Sequence, residues 1–137
     1  MAFTGPLEDR MLIRELYDRY ADSGWRGDRE AWIDCFTADG AWTSHLFDCA
    51  GHDALRTEWD KLWADFESLA FQCEIGAIEV DGDTARARSY AREIVQPKQA
   101  PIFKLAGRYE DQLRREHGEW RFSRRDYTLM IAEVPEG

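Results

Sequence analysis

Ile13, Leu16, Tyr17 and Tyr20 recur at the spacing of one helical face, while Arg10, Arg14, Asp18 and Asp22 occupy the others. This pattern predicts an amphipathic helix that starts at Pro6, has Glu8 and Asp9 in its first turn, and closes near Gly24. Asp28 can cap a second, short helix carrying Trp32, Cys35 and Phe36, with Gly40 as its left-handed terminator. Ala41 to Phe47 reads as a strand and Asp48-Cys49-Ala50-Gly51 as a turn. Leu55, Trp59, Leu62, Trp63 and Phe66 then mark a third amphipathic helix.

Beyond that point the helical period disappears. Residues 69 to 80 form a strand rich in Phe, Ile and Val, Asp81-Gly82-Asp83 a hairpin turn, and residues 84 to 95 the next strand. Gln96 to Pro101 connects to a strand over 102 to 115, and a turn at Glu116-His117-Gly118-Glu119 leads to a last strand from Trp120 to about Ile131. Strands this long accumulate twist and bend at bulges, so the sheet is expected to curl. Across Gly76 the apolar parity slips from Phe71, Cys73 and Ile75 to Ile78 and Val80, as a bulge would make it do. Helices first and a bent meander afterwards predict an α+β fold: three helices packed on a strongly curved antiparallel sheet, enclosing a cone-shaped pocket.

A length of 137 residues suits one domain spanning the whole chain, 1–137. The formal net charge of -9 repels phosphate backbones, so neither nucleic acid nor an anionic membrane is an expected partner. No apolar run approaches a spanning helix, and the N-terminus turns charged before a signal-peptide core forms, which points to the cytoplasm. Cys35, Cys49 and Cys73 are odd in number with no close pairing, so free buried thiols are expected. His45, Asp48 and His52 lack a recognised ligand spacing, and no metal or other cofactor is expected.

The order helix, helix, strand, helix and four-stranded meander resembles the nuclear-transport-factor-2-like superfamily, in its SnoaL-like and scytalone-dehydratase-like branch. The likeness rests on RYADSGWRGDREAWIDCFTADGAW (19 to 42), IEVDGDTARARSY (78 to 90) and GRYEDQLRREHGEWRFSRRDY (107 to 127). It implies a cystatin-like α+β roll, a small hydrophobic molecule as partner and assembly as a homodimer or homotrimer. Relatives include dehydratases, isomerases, cyclases, epoxide hydrolases and noncatalytic subunits. The dehydratase branch resembles a Tyr-then-Asp arrangement near the end of the first helix and a histidine in the second strand. Here those places hold Gly24 with Trp25, and Cys73 with Glu74.

Three residues are the candidates for chemistry. The strand over 84 to 95 presents Ala85, Ala87, Ser89, Ala91 and Glu93 on one face, and small residues leave room beneath. If that face looks inward, desolvation raises the Glu93 pKa and suits it to proton transfer. His45, placed on the first strand where relatives carry catalytic side chains, titrates near neutral pH. Tyr20, where relatives often carry a substrate-binding tyrosine, can hydrogen-bond a developing oxyanion. Trp42, Trp59, Trp63, Phe71, Cys73, Tyr90 and Arg108 are candidates for binding, Arg108 as an anchor for an anionic group. Arg86, Arg88 and Arg92 read as a solvated face. These residues point to a cofactor-independent lyase or isomerase acting on a hydrophobic cyclic or oxygenated substrate. The alternative is a noncatalytic ligand-binding or assembly subunit, resembling the small subunit of ring-hydroxylating dioxygenases.

Overall fold

In the computed structural model, which describes residues 1–136, three helices lie against one seven-stranded sheet. The elements are β1 (Phe3–Thr4), α1 (Leu7–Arg26), α2 (Arg29–Ile33), β2 (Phe36–Thr43), β3 (Asp48–Ala50), α3 (His52–Trp63), β4 (Phe66–Asp81), β5 (Thr84–Pro97), β6 (Phe103–Glu116) and β7 (Glu119–Glu133). Their order across the sheet is β1-β4-β5-β6-β7-β2-β3. The four long strands form the expected antiparallel meander, while β1 joins β4, and β2 joins β7, in parallel. Among the described residues, no helix is long and apolar enough to cross a membrane.

The first helix buries Ile13, Leu16, Tyr17 and Tyr20, as its spacing predicts. It runs on through Gly24 because that glycine sits against Leu69 and Phe71, and Gly27 supplies the left-handed cap at φ 64°. Asp28 caps α2 by accepting from the Ala31 amide at 3.1 Å. The second helix is shorter than its sequence suggests. The Phe122 amide of β7 donates to the Cys35 carbonyl at 2.8 Å, which draws Cys35 and Phe36 out of the helix and onto the sheet. Gly40 therefore ends no helix. It lies in β2, where the register against β7 shifts and a β-carbon would come within 2.9 Å of Phe36 Cβ.

Two further differences follow from that early strand. The chain leaves β2 after Thr43, turns through residues 44 to 47 with the Ser44 amide donating to the Phe47 carbonyl, and returns as β3. Asp48 to Ala50 is thus a strand rather than a turn, and His45 belongs to the loop. Phe66 begins β4 instead of ending α3.

The register slip expected at Gly76 is present between Ile75 and Ala77, and two more slips lie between Ala106 and Gly107 and between Gln112 and Leu113. Each marks a bulge that lets the sheet curl around α1. On the concave side, Tyr20 meets Trp32, Phe36, Phe71 and Phe122 with ring centroids 5.5 to 6.2 Å apart. On the convex side, Arg86 pairs with Glu79 and Arg92 with Glu74, as a solvated face would.

Candidate functional site

Between the concave face and helices α1 and α3 lies a hollow in two connected lobes. The inner lobe, about 70 Å³, is walled by Tyr20, Trp32, Trp59, Trp63 and Phe71. The outer lobe, about 400 Å³, runs past Val95, Phe103, Leu105, Tyr127 and Leu129 towards the loop that carries His45. Trp42, Leu62, Phe66, Glu93 and Tyr109 line both. From β5 only Glu93 and Val95 reach the lining, and the bulky walls come from the helices and β2. Trp59 stacks on Trp63 at 5.2 Å, and Trp42 meets Phe47 at 4.1 Å with the rings tilted by 48°, so the walls are packed aromatic surfaces.

Glu93 is the one carboxylate lining either lobe among the described residues. Its expected inward orientation is present, opposite Phe71 on β4 and Leu105 on β6. The neighbouring arginines are engaged elsewhere: Arg92 with Glu74, and Arg125 with Asp111. Burial pushes the Glu93 carboxyl up to about 7, with the nearby Arg125 charge pulling part of the way back. A carboxyl poised there exchanges protons readily in either direction near neutral pH.

Arg125 and Asp111 went unnoticed in the sequence. They form a fully buried bidentate ion pair, Nε to Oδ1 at 2.8 Å and Nη2 to Oδ2 at 3.0 Å. Tyr17 donates to the same carboxylate, and Arg125 Nη2 also donates to Ser89 Oγ at 3.2 Å. The guanidinium lies 3.8 Å from the Tyr109 ring centroid, 4.3 Å from that of Phe122 and 4.5 Å from that of Tyr20. Strand parity hides it: Trp120 and Phe122 point inward, but past Ser123 the inward positions become Arg125, Tyr127 and Leu129. The available signal was Asp111, a charge on the inward parity of β6 between Tyr109 and Leu113 that requires a partner.

Of the candidate residues, Tyr20, Trp42, Trp59, Trp63, Phe71 and Glu93 all line the hollow. His45 is exposed at the mouth of the outer lobe, on the turn between β2 and β3, away from the inner lobe. Cys73 faces inward opposite Ala91 but lies behind Phe71, outside both lobes, and burial raises its thiol pKa, which disfavours a thiolate. The structure does not bring Tyr90 and Arg108 to the hollow. Both project from the convex face, where Tyr90 is exposed and Arg108 approaches Glu110 at 3.3 Å, because β5 and β6 alternate strictly there. His52 donates from Nε2 to the Phe36 carbonyl at 3.1 Å, which ties α3 to β2. His45→Ala is accordingly expected to shift stability by no more than about 0.5 kcal/mol in thermal melts and to leave turnover intact. A loss on the order of 10²-fold would restore it as an acid or base.

A curled sheet wrapped over helices, with an apolar hollow holding one half-buried carboxyl, defines a small-molecule-binding protein of the nuclear-transport-factor-2-like class. The profile of the SnoaL-like domain matches residues 5–126, and the chain belongs to that family. Among solved structures it is similar to a candidate aromatic ring hydroxylase from Novosphingobium aromaticivorans, at 25% identity and TM-score 0.90, covering 96% of each chain. A candidate scytalone dehydratase from the same organism shares 21% identity at TM-score 0.87, covering 96% of this chain and 90% of the other. A type 2 hexachlorocyclohexane dehydrochlorinase (LinA) shares 16% at TM-score 0.86, covering 96% and 91%. These last two likenesses establish the fold alone. No curated protein matches the chain in sequence.

Proposed function

We propose that this protein is a cofactor-independent lyase or isomerase for a small hydrophobic ring compound bearing oxygen, with Glu93 as its acid-base group. The observation that carries the reading is a lone, unpaired carboxyl inside an aromatic-walled hollow, shared by both lobes. The Glu93 carboxylate takes a proton from the carbon beside a carbonyl, and the C–H electron pair moves into an enolate. The protonated Glu93 then returns that proton, to a leaving hydroxyl that departs as water or to another carbon of the same molecule. In this reading Tyr20, on the wall of the inner lobe, packs its ring against that of the substrate. Two of the similar structures carry the names of enzymes that eliminate a small group from a ring, which supports this class of reaction.

The test is direct. Cyclic ketones and β-hydroxy ketones incubated with the purified protein in D₂O should exchange their α-hydrogens faster than in buffer, followed by proton NMR. Exchange at the buffer rate across that panel would remove the acid-base reading. The likeness to a candidate aromatic ring hydroxylase favours a second reading, a noncatalytic subunit of an oxygenase assembly. Copurification with a larger oxygenase subunit would favour it, and turnover by the isolated protein would count against it. The convex face, with Ile94, Met130 and Ile131 exposed, is the surface offered to a second copy of the chain. Sedimentation as a monomer at micromolar concentration would argue against that assembly.

A further inference from the structure

The chemistry drawn so far uses the carboxyl of the hollow and leaves its indoles as plain walls. Four of the six tryptophans line the inner lobe, more than closing a space of about 70 Å³ requires. Trp32 stands at 71° to Trp42 and at 38° to Trp59, with ring centroids 5.0 Å apart in both pairs, so the indoles surround the lobe from different directions rather than as one stack. Each ring carries negative charge on its faces, and several rings around a compact space attract a cation. Glu93 lines the same lobe, half-buried and unpaired. Among the described residues, no lysine or arginine lines either lobe. Arg125, whose charge reaches Glu93, is held by Asp111 and Ser89 and stacked on Tyr109. The hollow therefore offers π faces and a carboxyl with no resident counter-ion, in a chain of net charge -9.

We propose that the hollow binds a small organic cation, a quaternary ammonium carried on an apolar body. The ammonium head occupies the inner lobe against Trp32, Trp42, Trp59 and Trp63, with Glu93 as its counter-ion, and the body lies in the outer lobe past Val95 and Phe103. A quaternary head has no N–H to satisfy, so aromatic faces and one carboxylate suffice to hold it. The proposal goes beyond the proton transfer above, since it asks of Glu93 only its charge, and a bound cation competes with a ketone for that carboxylate. Glu93 is faced by Tyr20 of α1, Tyr109 of β6, and Arg125 and Tyr127 of β7, with His45 at the mouth. The facing side chains of β4 and α3 are Phe71, Trp59 and Trp63, which do not titrate. Burial raises the pKa of all three phenols, so they stay neutral, and Arg125 stays charged against Asp111.

The probes are phenyltrimethylammonium and its uncharged carbon isostere tert-butylbenzene, each titrated at pH 5.5 and pH 8.5 while following tryptophan fluorescence. Glu93, pushed up to about 7 by burial, is mostly protonated at the first pH and ionised at the second. Phenyltrimethylammonium should bind about tenfold more tightly at pH 8.5, the effect of an opposite charge that lowers a carboxyl pKa by one unit, and tert-butylbenzene should show no such gain. Glu93→Gln should remove the gain without weakening tert-butylbenzene. An imidazole titrates in the same interval, so His45→Ala should keep the gain. Trp63→Leu, at a half-buried position, should weaken the cation about two- to fivefold more than the isostere, the worth of one cation–π contact. An equal response of the two probes to pH, a gain that survives Glu93→Gln or vanishes in His45→Ala, or equal losses of both probes in Trp63→Leu would overturn the proposal. Binding of tert-butylbenzene alone would overturn it and leave the hollow as a site for neutral ligands, and binding of neither would remove both. Ketone exchange in D₂O is measured without either probe, so failure of one result leaves the other standing.

Discussion

Glu93→Gln is expected to reduce turnover of a responsive ketone by roughly 10²- to 10⁴-fold, the usual worth of a positioned acid or base. The substitution keeps the shape of the side chain and removes only its capacity to exchange a proton, so binding should change little and the loss should fall on kcat. In the wild-type protein, kcat/KM for proton abstraction should rise with pH and level off above a midpoint near 7, where Glu93 becomes ionised. The same shift sets an opposite trend in stability. A carboxyl raised from its ordinary 4.5 to about 7 favours the folded state most at low pH, and that contribution disappears as pH rises from 4.5 through 7. Glu93→Gln should therefore be more stable than wild type at pH 8.5 and no more stable at pH 4. Equal urea midpoints for the two proteins at pH 8.5, or a flat rate profile between pH 5 and 9, would show that the carboxyl is not held in an apolar site.

Arg125→Met should be the most damaging substitution to the fold, at about 3–5 kcal/mol, because it strands the Asp111 carboxylate inside the sheet. For a chain of this size that lowers the melting temperature on the order of 10–20 °C. The guanidinium is gripped on its edge by Asp111 and Ser89 and on its faces by Tyr109, Phe122 and Tyr20, so methionine replaces the stem but neither the charge nor the stacking. Asp111→Leu combined with Arg125→Met removes both charges and should recover part of the loss, with the Tyr17 hydroxyl left to find another partner. If urea denaturation of Arg125→Met gave a loss below about 1 kcal/mol, the pair would not be the anchor of the concave face.

How far the site could be read from the sequence depends on where periodicity was regular. On β5 the strict alternation puts Ala85, Ala87, Ser89, Ala91 and Glu93 on one face, and the structure turns that face inward. The walls at Trp42, Trp59, Trp63 and Phe71 were legible for the same reason, since each falls on the apolar side of its element. Tyr90 and Arg108 lie outside the hollow because the alternation that puts Glu93 and Tyr109 inside puts their neighbours outside. His45 lies on a loop rather than a strand because β2 begins five residues earlier than its composition suggests, so the chain has already turned by the time it reaches 45.

By itself the sequence determined the first helix, the four-stranded meander, the bulge at Gly76 and the set of residues that shares a face with Glu93, because each is a local or period-two property of the chain. Only the tertiary structure decided the parallel seating of β2 on β7, the burial of Arg125 against Asp111 and the placing of Tyr127 over Gly107. Those depend on register, and the bulges near Gly107 and Ser123 reverse which side chains face the cavity without leaving a pattern in the local sequence.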